Sequence, residues 1–212
     1  MSEMRDTIIG GTKTCRDWLL FRERLFNAAD ETLWRSAFDD YFHSRIRLRY
    51  LQPIELLRDH DSRQGEGFSM VAIHCSLIEF LESTVQGINY RFVRNDADLG
   101  SHQYRKSGPV FVSFLTNRQP FSQTFDLSLA EDFYQSIRCG LLHEARTKGG
   151  WRIRADGPAI IDRSHRILYR NKFHEALLQW VEWYRGALAS SQDLQEAFVR
   201  KFDALCEEHG AA

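Results

Sequence analysis

"DLSLAEDFYQSIRCGLLHEARTKGG", residues 126–150, carries Leu127, Ala130, Tyr134, Ile137 and Leu141 at the three- and four-residue spacing of one helix face. Asp126 or Ser128 can accept hydrogen bonds from the free N–H groups of a first turn, and acids follow directly. The pattern predicts a helix that runs to Gly149-Gly150, since glycine readily takes the left-handed conformation that ends helices.

Working outward, "FSMVAIHCSLIEFLESTVQG" predicts an earlier helix from about Gly67 to Gln86, stopped by Gly87. It is apolar on most sides, as a central core helix is, except along Ala72, Ser76, Glu79, Ser83 and Gln86. On that line Glu79 needs water or a cationic partner. Residues 15–57 are helical in pattern, with Pro53 suited to the first turn of a further short helix. Residues 88–108 show no period and read as a long loop, and "PVFVSFLTNRQPF" from Pro109 fits either helix or strand. Beyond the double glycine, "WRIRAD" alternates, "GP" interrupts, and "AIIDRSHRILYR" follows, which predicts a small β-hairpin or paired strands. Two helices, about 171–188 and 192–208, close the chain. The expected fold is all-α: a helical bundle of seven or so helices in a single domain over 1–212, with a small β-hairpin insertion after the motif helix.

Composition limits the function classes. A chain of 212 residues with 15 Phe, 5 Trp and a formal charge of −1 can bury one sizeable core, and is neither a disordered tail nor a histone-like polycation. Cys15, Cys75, Cys139 and Cys206 form neither a CxxC pair nor a dense framework, so free thiols in a reducing compartment are expected. His74-Cys75 has no second pair at metal-ligand spacing, and "GEG" at Gly65–Gly67 lacks the full dinucleotide-binding pattern, so neither metal nor cofactor is expected. The N-terminus lacks a signal-like apolar core and no uninterrupted apolar run approaches bilayer length. A cytoplasmic protein without a membrane segment is expected.

Arg138 and His143 stand out near the end of the decisive helix. Their spacing alone is weak, because about one such pair arises by chance at this Arg and His content. An ideal helix also sets positions five apart about 140° around its axis, unless it bends, and Gly140 lowers the cost of bending. Between Arg138 and Lys172, however, nine Lys or Arg oppose three Asp or Glu. A cationic surface beside a histidine suits a polyanion, since Lys and Arg neutralise phosphates and imidazole titrates near neutrality. The other reading is a solvated basic face around a helix-end histidine. "RIRLRY", Arg45 to Tyr50, has the same two readings.

Arg138-Cys139-Gly140-Leu141-Leu142-His143 resembles the signature of the HEPN domain family, an Arg, four to six residues, then a His near the end of a core helix. "FSMVAIHCSLIEFLES" resembles the family's earlier core helix, and "FYQSIRCGLLHEARTKGGWRI" resembles a bacterial branch of uncharacterised function. The likeness covers about residues 30–190. Many members are metal-independent endoribonucleases that dimerise so that two motifs face one cleft. The resemblance therefore implies a homodimer that cleaves RNA through Arg138 and His143, as a toxin or defence effector restrained by an antitoxin or regulatory protein. It further implies that Glu79 orients Arg138, and that Lys148, Arg152 and Arg154 hold flanking phosphates. Trp151 is either a base-stacking face or a core aromatic. The chain departs from the pattern at Cys139, where active members usually carry Asn, Asp or His. The alternatives are a catalytically inactive module that binds RNA, a nucleotide or a protein, and a helical dimerisation scaffold.

Overall fold

A computed structural model describes residues 7–27, 30–60, 62 and 64–207. The fold is mostly α-helical, with seven helices and a few short strands among the described residues. The helices are α1 (Cys15–Asn27), α2 (31–59), α3 (Glu66–Gln86), α4 (Ser107–Asn117), α5 (127–144), α6 (Arg170–Ser190) and α7 (Gln192–Glu207). Short strands β1 (Ile8–Gly10) and β2 (Lys13–Thr14) pair antiparallel, and β3 (Asn89–Tyr90) and β4 (Gln103–Tyr104) pair parallel. In the third sheet, β7 (Ile167–Tyr169) lies between β5 (Arg152–Arg154), which is parallel to it, and β6 (Ile161–Asp162), which is antiparallel. The expected hairpin is thus β6–β7, with β5 added at its edge.

The chain divides into two compact units, each assembled from separate stretches. The first takes the chain up to Leu51, Ser83–Arg105, and the chain from Trp183. Thr14 and Asp17 start α1 with a reciprocal cap: Asp17 N–H donates to Thr14 Oγ1 (3.2 Å) and Thr14 N–H to the Asp17 carboxylate (2.8 Å). Asp30 caps α2 by accepting from Thr32 N–H (2.8 Å). The core of this unit is aromatic: Trp18 packs on Tyr41 and Phe202, and Phe198 stacks on Phe202 at 4.5 Å. Trp18 keeps its indole N–H satisfied by donating to Asp203 (2.8 Å). β1 presses on α2 so closely that a Cβ at Gly10 would meet Tyr41 O at 2.5 Å.

"RIRLRY" meets neither expectation fully. Arg45 donates to Ile9 O (2.7 Å) and Arg49 to Ile8 O (3.2 Å), so these arginines hold β1. Burial, with Arg49 nearby, pulls the Arg45 guanidinium down to about 10. Residues 88–106 also depart from a plain loop, since β3, a 3₁₀ turn (Asp96–Asp98) and β4 lie within them. These elements are too short for periodicity to reveal.

The second unit takes Gln52–Glu82 and Lys106–Glu182. The ambiguous apolar segment is α4, and its Phe111 and Phe114 are buried. Phe133 of α5 stacks on Phe173 of α6 (5.7 Å) and meets Trp151 edge-on (5.7 Å). α3 is long and apolar enough to cross a membrane by length and composition, but 61% of its apolar window is buried within the protein. One charge on it has no exposure at all. Glu82 takes a bidentate pair from Arg118 Nε (2.8 Å) and Nη2 (3.0 Å), and Ser113 Oγ also donates to it (2.7 Å).

Removing one partner of such a pair strands a buried charge. Arg118→Ala should cost about 3 kcal/mol of stability in denaturant titration. The double variant Glu82→Leu/Arg118→Leu should cost less than Arg118→Ala alone; a larger loss would show that packing, not charge matching, sets the cost.

Candidate functional site

α5 begins where Asp126 Oδ1 accepts from Leu129 N–H (2.8 Å), as its sequence predicts. Its winding then changes: residues Tyr134–Arg138 form a π-turn, and Cys139 N–H donates to Tyr134 O, five residues back. Such insertions recur at functional sites because they re-aim side chains from the regular stripe. Here the π-turn delivers Arg138 to two neighbours. Its Nη2 lies 3.6 Å from Glu79 Oε2 of α3, and its guanidinium sits over the Tyr134 ring at 5.4 Å. Tyr134 is fixed in turn by a hydrogen bond between its hydroxyl and Ser107 Oγ (3.0 Å).

The helix ends earlier than its sequence suggests. The left-handed residue that closes α5 after Glu144 is Ala145 (φ 53°, ψ 30°) rather than Gly149. From there the chain returns along the helix, and Lys148 N–H donates to Ser136 O (2.8 Å). A Cβ at Gly140 would stand 2.5 Å from Arg146 O, so glycine is needed for this return rather than for a bend between Arg138 and His143. Gly149 and Gly150 (φ 57° and 79°) shape the turn into β5 instead.

His143 is exposed on the last turn of α5, and its side chain makes no hydrogen bond or ion pair with any described residue. The π-turn ends at Arg138 and the steps from Cys139 to His143 are α-helical, a winding that sets the two positions about 140° apart around an ideal axis. The structure pairs Glu79 with Arg138, and among the described residues no hydrogen bond or ion pair links Arg138 to His143. Cys139 is half-buried. On α3, Cys75 is also influenced by Arg138 and Cys139, but burial dominates and pushes its thiol up to about 12.

The expected phosphate-binding residues differ among themselves. Lys148 is paired with Glu144 (2.5 Å), which also holds Arg146 (2.9 Å). Arg152 is exposed and donates to His165 O (3.2 Å), leaving its charge uncompensated by that contact. Arg154 is exposed without a partner among the described residues. Trp151 is buried to 3% exposure and donates to Asp132 Oδ2 (3.0 Å), so its base-stacking reading is overturned and it is a core aromatic.

Sequence reading missed Tyr134, which it assigned only to the apolar stripe; an Arg four residues after an aromatic is the available signal. It also missed a buried pair, His74 on α3 and His174 on α6. Their rings stack at 5.3 Å, with Nε2 of His74 and Nδ1 of His174 sharing a hydrogen bond at 3.2 Å. The outer nitrogens, His74 Nδ1 and His174 Nε2, are buried without a hydrogen-bond partner. No family model, curated protein or solved structure matches the chain.

Burial, and then the neighbouring ring, holds His74 well below the ordinary histidine value. Burial first, and then Arg58, lowers His174, against the opposing influence of Glu55 and Glu175. An unfolded chain takes up protons near pH 6.5 that the folded pair refuses, so the pair's contribution is complete above that pH and lost as pH falls below it. The melting temperature should drop between pH 7 and 5, and the double variant His74→Leu/His174→Leu should show a shallower slope across this interval. An unchanged slope would refute the assignment.

Proposed function

We propose that this protein is a metal-independent endoribonuclease of the HEPN kind, in which Arg138 holds the scissile phosphate and His143 moves the proton. The observation that carries this reading is the division between the two residues: Arg138 is held between Glu79 and Tyr134, while His143 is exposed and unengaged. A phosphate binder benefits from being preorganised, because donors already in place need not reorganise as charge develops. A proton carrier needs access to the reacting oxygen.

The ribose 2′-hydroxyl attacks the adjacent phosphorus as its proton passes to a base, and the 5′-oxygen departs with a proton from an acid. The fragments carry a 2′,3′-cyclic phosphate and a 5′-hydroxyl, and DNA, lacking the nucleophile, is inert. With Arg138 and His143 on different faces of α5, the proposal takes the form of a homodimer in which each phosphate meets Arg138 of one copy and His143 of the other. Arg152 and Arg154 extend the cationic surface. A toxin or defence role under the control of a regulatory protein follows from the resemblance alone.

The half-burial of Arg138 against Glu79, together with Cys139, favours a second reading: a module that binds RNA, a nucleotide or a protein partner without cleaving RNA.

Purified protein incubated with a mixed RNA pool in EDTA should generate cyclic-phosphate ends. His143→Ala should lower the rate about 10²–10⁴-fold, and Arg138→Ala about 10²–10³-fold, with both variants folded. RNA bound by the wild type but left uncut would favour the second reading.

A further inference from the structure

Beside Tyr134, between α4 and α5 in the second unit, lies an open cleft of about 660 Å³, within the size range of small-molecule sites. Pro109, Val112 and Leu127 give it apolar walls, and Leu127 is 59% exposed there rather than packed in the core. Gly108 leaves room for the Tyr134 ring, since a Cβ at that position would already stand 3.2 Å from it.

The polar groups of the cleft fall into two sets. Ser113 donates to Glu82, Thr116 donates to Val112 O, and the Tyr134 hydroxyl is engaged with Ser107. Glu131 and Gln135, by contrast, are exposed, line the same cleft, and their side chains make no hydrogen bond or ion pair with a described residue. Four apart on α5, they lie on one helix edge. Recognition in this cleft therefore falls to one carboxylate and one amide over an apolar surface.

A carboxylate repels phosphate, so an anion is excluded from the cleft itself. It accepts two parallel N–H donors well, and a flat ring suits the apolar walls. Among nucleobases, guanine presents two adjacent donors, N1–H and the N2 amino group, on one edge, whereas adenine and cytosine offer one amino group there and uracil one ring N–H. Tyr134, a wall of the cleft, also carries the Arg138 guanidinium over its ring. Tyr134 thus connects the cleft to Arg138, the residue read above as the phosphate holder.

We propose that this cleft is a guanine-binding subsite, with Glu131 accepting from the base edge and Gln135 completing the contact. The subsite rests on the reading of Arg138 as phosphate holder, and makes the enzyme prefer RNA with guanine next to the scissile phosphate. Loss of a bidentate base contact weakens binding by about tenfold or more.

Titration calorimetry with the 3′-monophosphates of guanosine, adenosine, cytidine and uridine tests the subsite without requiring catalysis. The guanosine nucleotide should bind tightest. Glu131→Gln should weaken it about tenfold and leave the other three unchanged, and Gln135→Ala should act in the same direction. Arg138→Ala should weaken all four alike. Equal binding of the four, or a guanosine preference that survives Glu131→Gln, overturns the subsite, whatever Arg138→Ala does. Failure of the cleavage reading looks different: guanosine preference lost in Glu131→Gln, with no RNA cut, leaves the subsite standing on a binding protein.

Discussion

A carboxylate with no solvent exposure costs several kcal/mol unless charge and hydrogen bonds replace its water. In the second unit Glu82 is that carboxylate, and its replacements are Arg118, just past the end of α4, and Ser113 within it. The requirement fixes α4 against α3 at one level. Three residues earlier, on an adjoining face of the same helix, Glu79 meets Arg138 of α5. α3 thus sets both its neighbours through two acids that differ in burial. Glu82 has no exposure and a bidentate partner, whereas Glu79 retains 20% exposure and a looser one. The first contact suits a structural pair and the second a pair that can open.

The consequence reaches Tyr134. With α4 fixed, Ser107 at its first turn holds the tyrosine hydroxyl; with α5 fixed, the π-turn places Arg138 over the ring. Gly140 is where this arrangement requires glycine, and Gly108 is where a Cβ would press on the Tyr134 ring. The first gives the returning chain space beside α5, and the second gives the tyrosine ring space. A side chain at either would have to be absorbed by groups that also position Arg138.

Much of this was legible in the sequence because it depends on local pattern. The cap at Asp126 and the stop at Gly87 follow from neighbours within one turn, and Gly87 does take a positive φ of 64°; of the apolar stripe, Ala130 and Ile137 are buried while Leu127 is exposed. That Glu79 needs water or a cation was readable because an acid on an apolar helix demands one, whereas Arg138 as its partner was an implication of the resemblance. Glu82 made the same demand, but its arginine belongs to a segment whose type the pattern left open. The end of α5 misled for a physical reason: two glycines signal a stop, yet Gly140 admits a returning chain and the helix closes at Ala145 first. The His74–His174 contact joins residues 100 apart, and neither residue carries a local signal of the other. π-turns leave the apolar spacing nearly intact, so those in α2 and α5 were invisible to periodicity.

The loose pair at Arg138 bears directly on how this residue can serve a phosphate. At 3.6 Å the contact with Glu79 is an ion pair beyond hydrogen-bonding distance, and Arg138 makes no side-chain hydrogen bond to a described residue. A guanidinium offers five N–H donors in a planar fork, so Glu79 constrains its direction while leaving the fork unspent. A deeply buried bidentate pair of the Glu82–Arg118 kind would have consumed those donors. An arginine without Glu79 would keep its donors but lose its aim, because a long side chain loses rotamer entropy when it binds. The arrangement of one carboxylate at a distance and one aromatic ring beneath gives orientation with little competition for the phosphate. His143, five residues on, has the complementary condition: little holds it, and a reacting group can reach it.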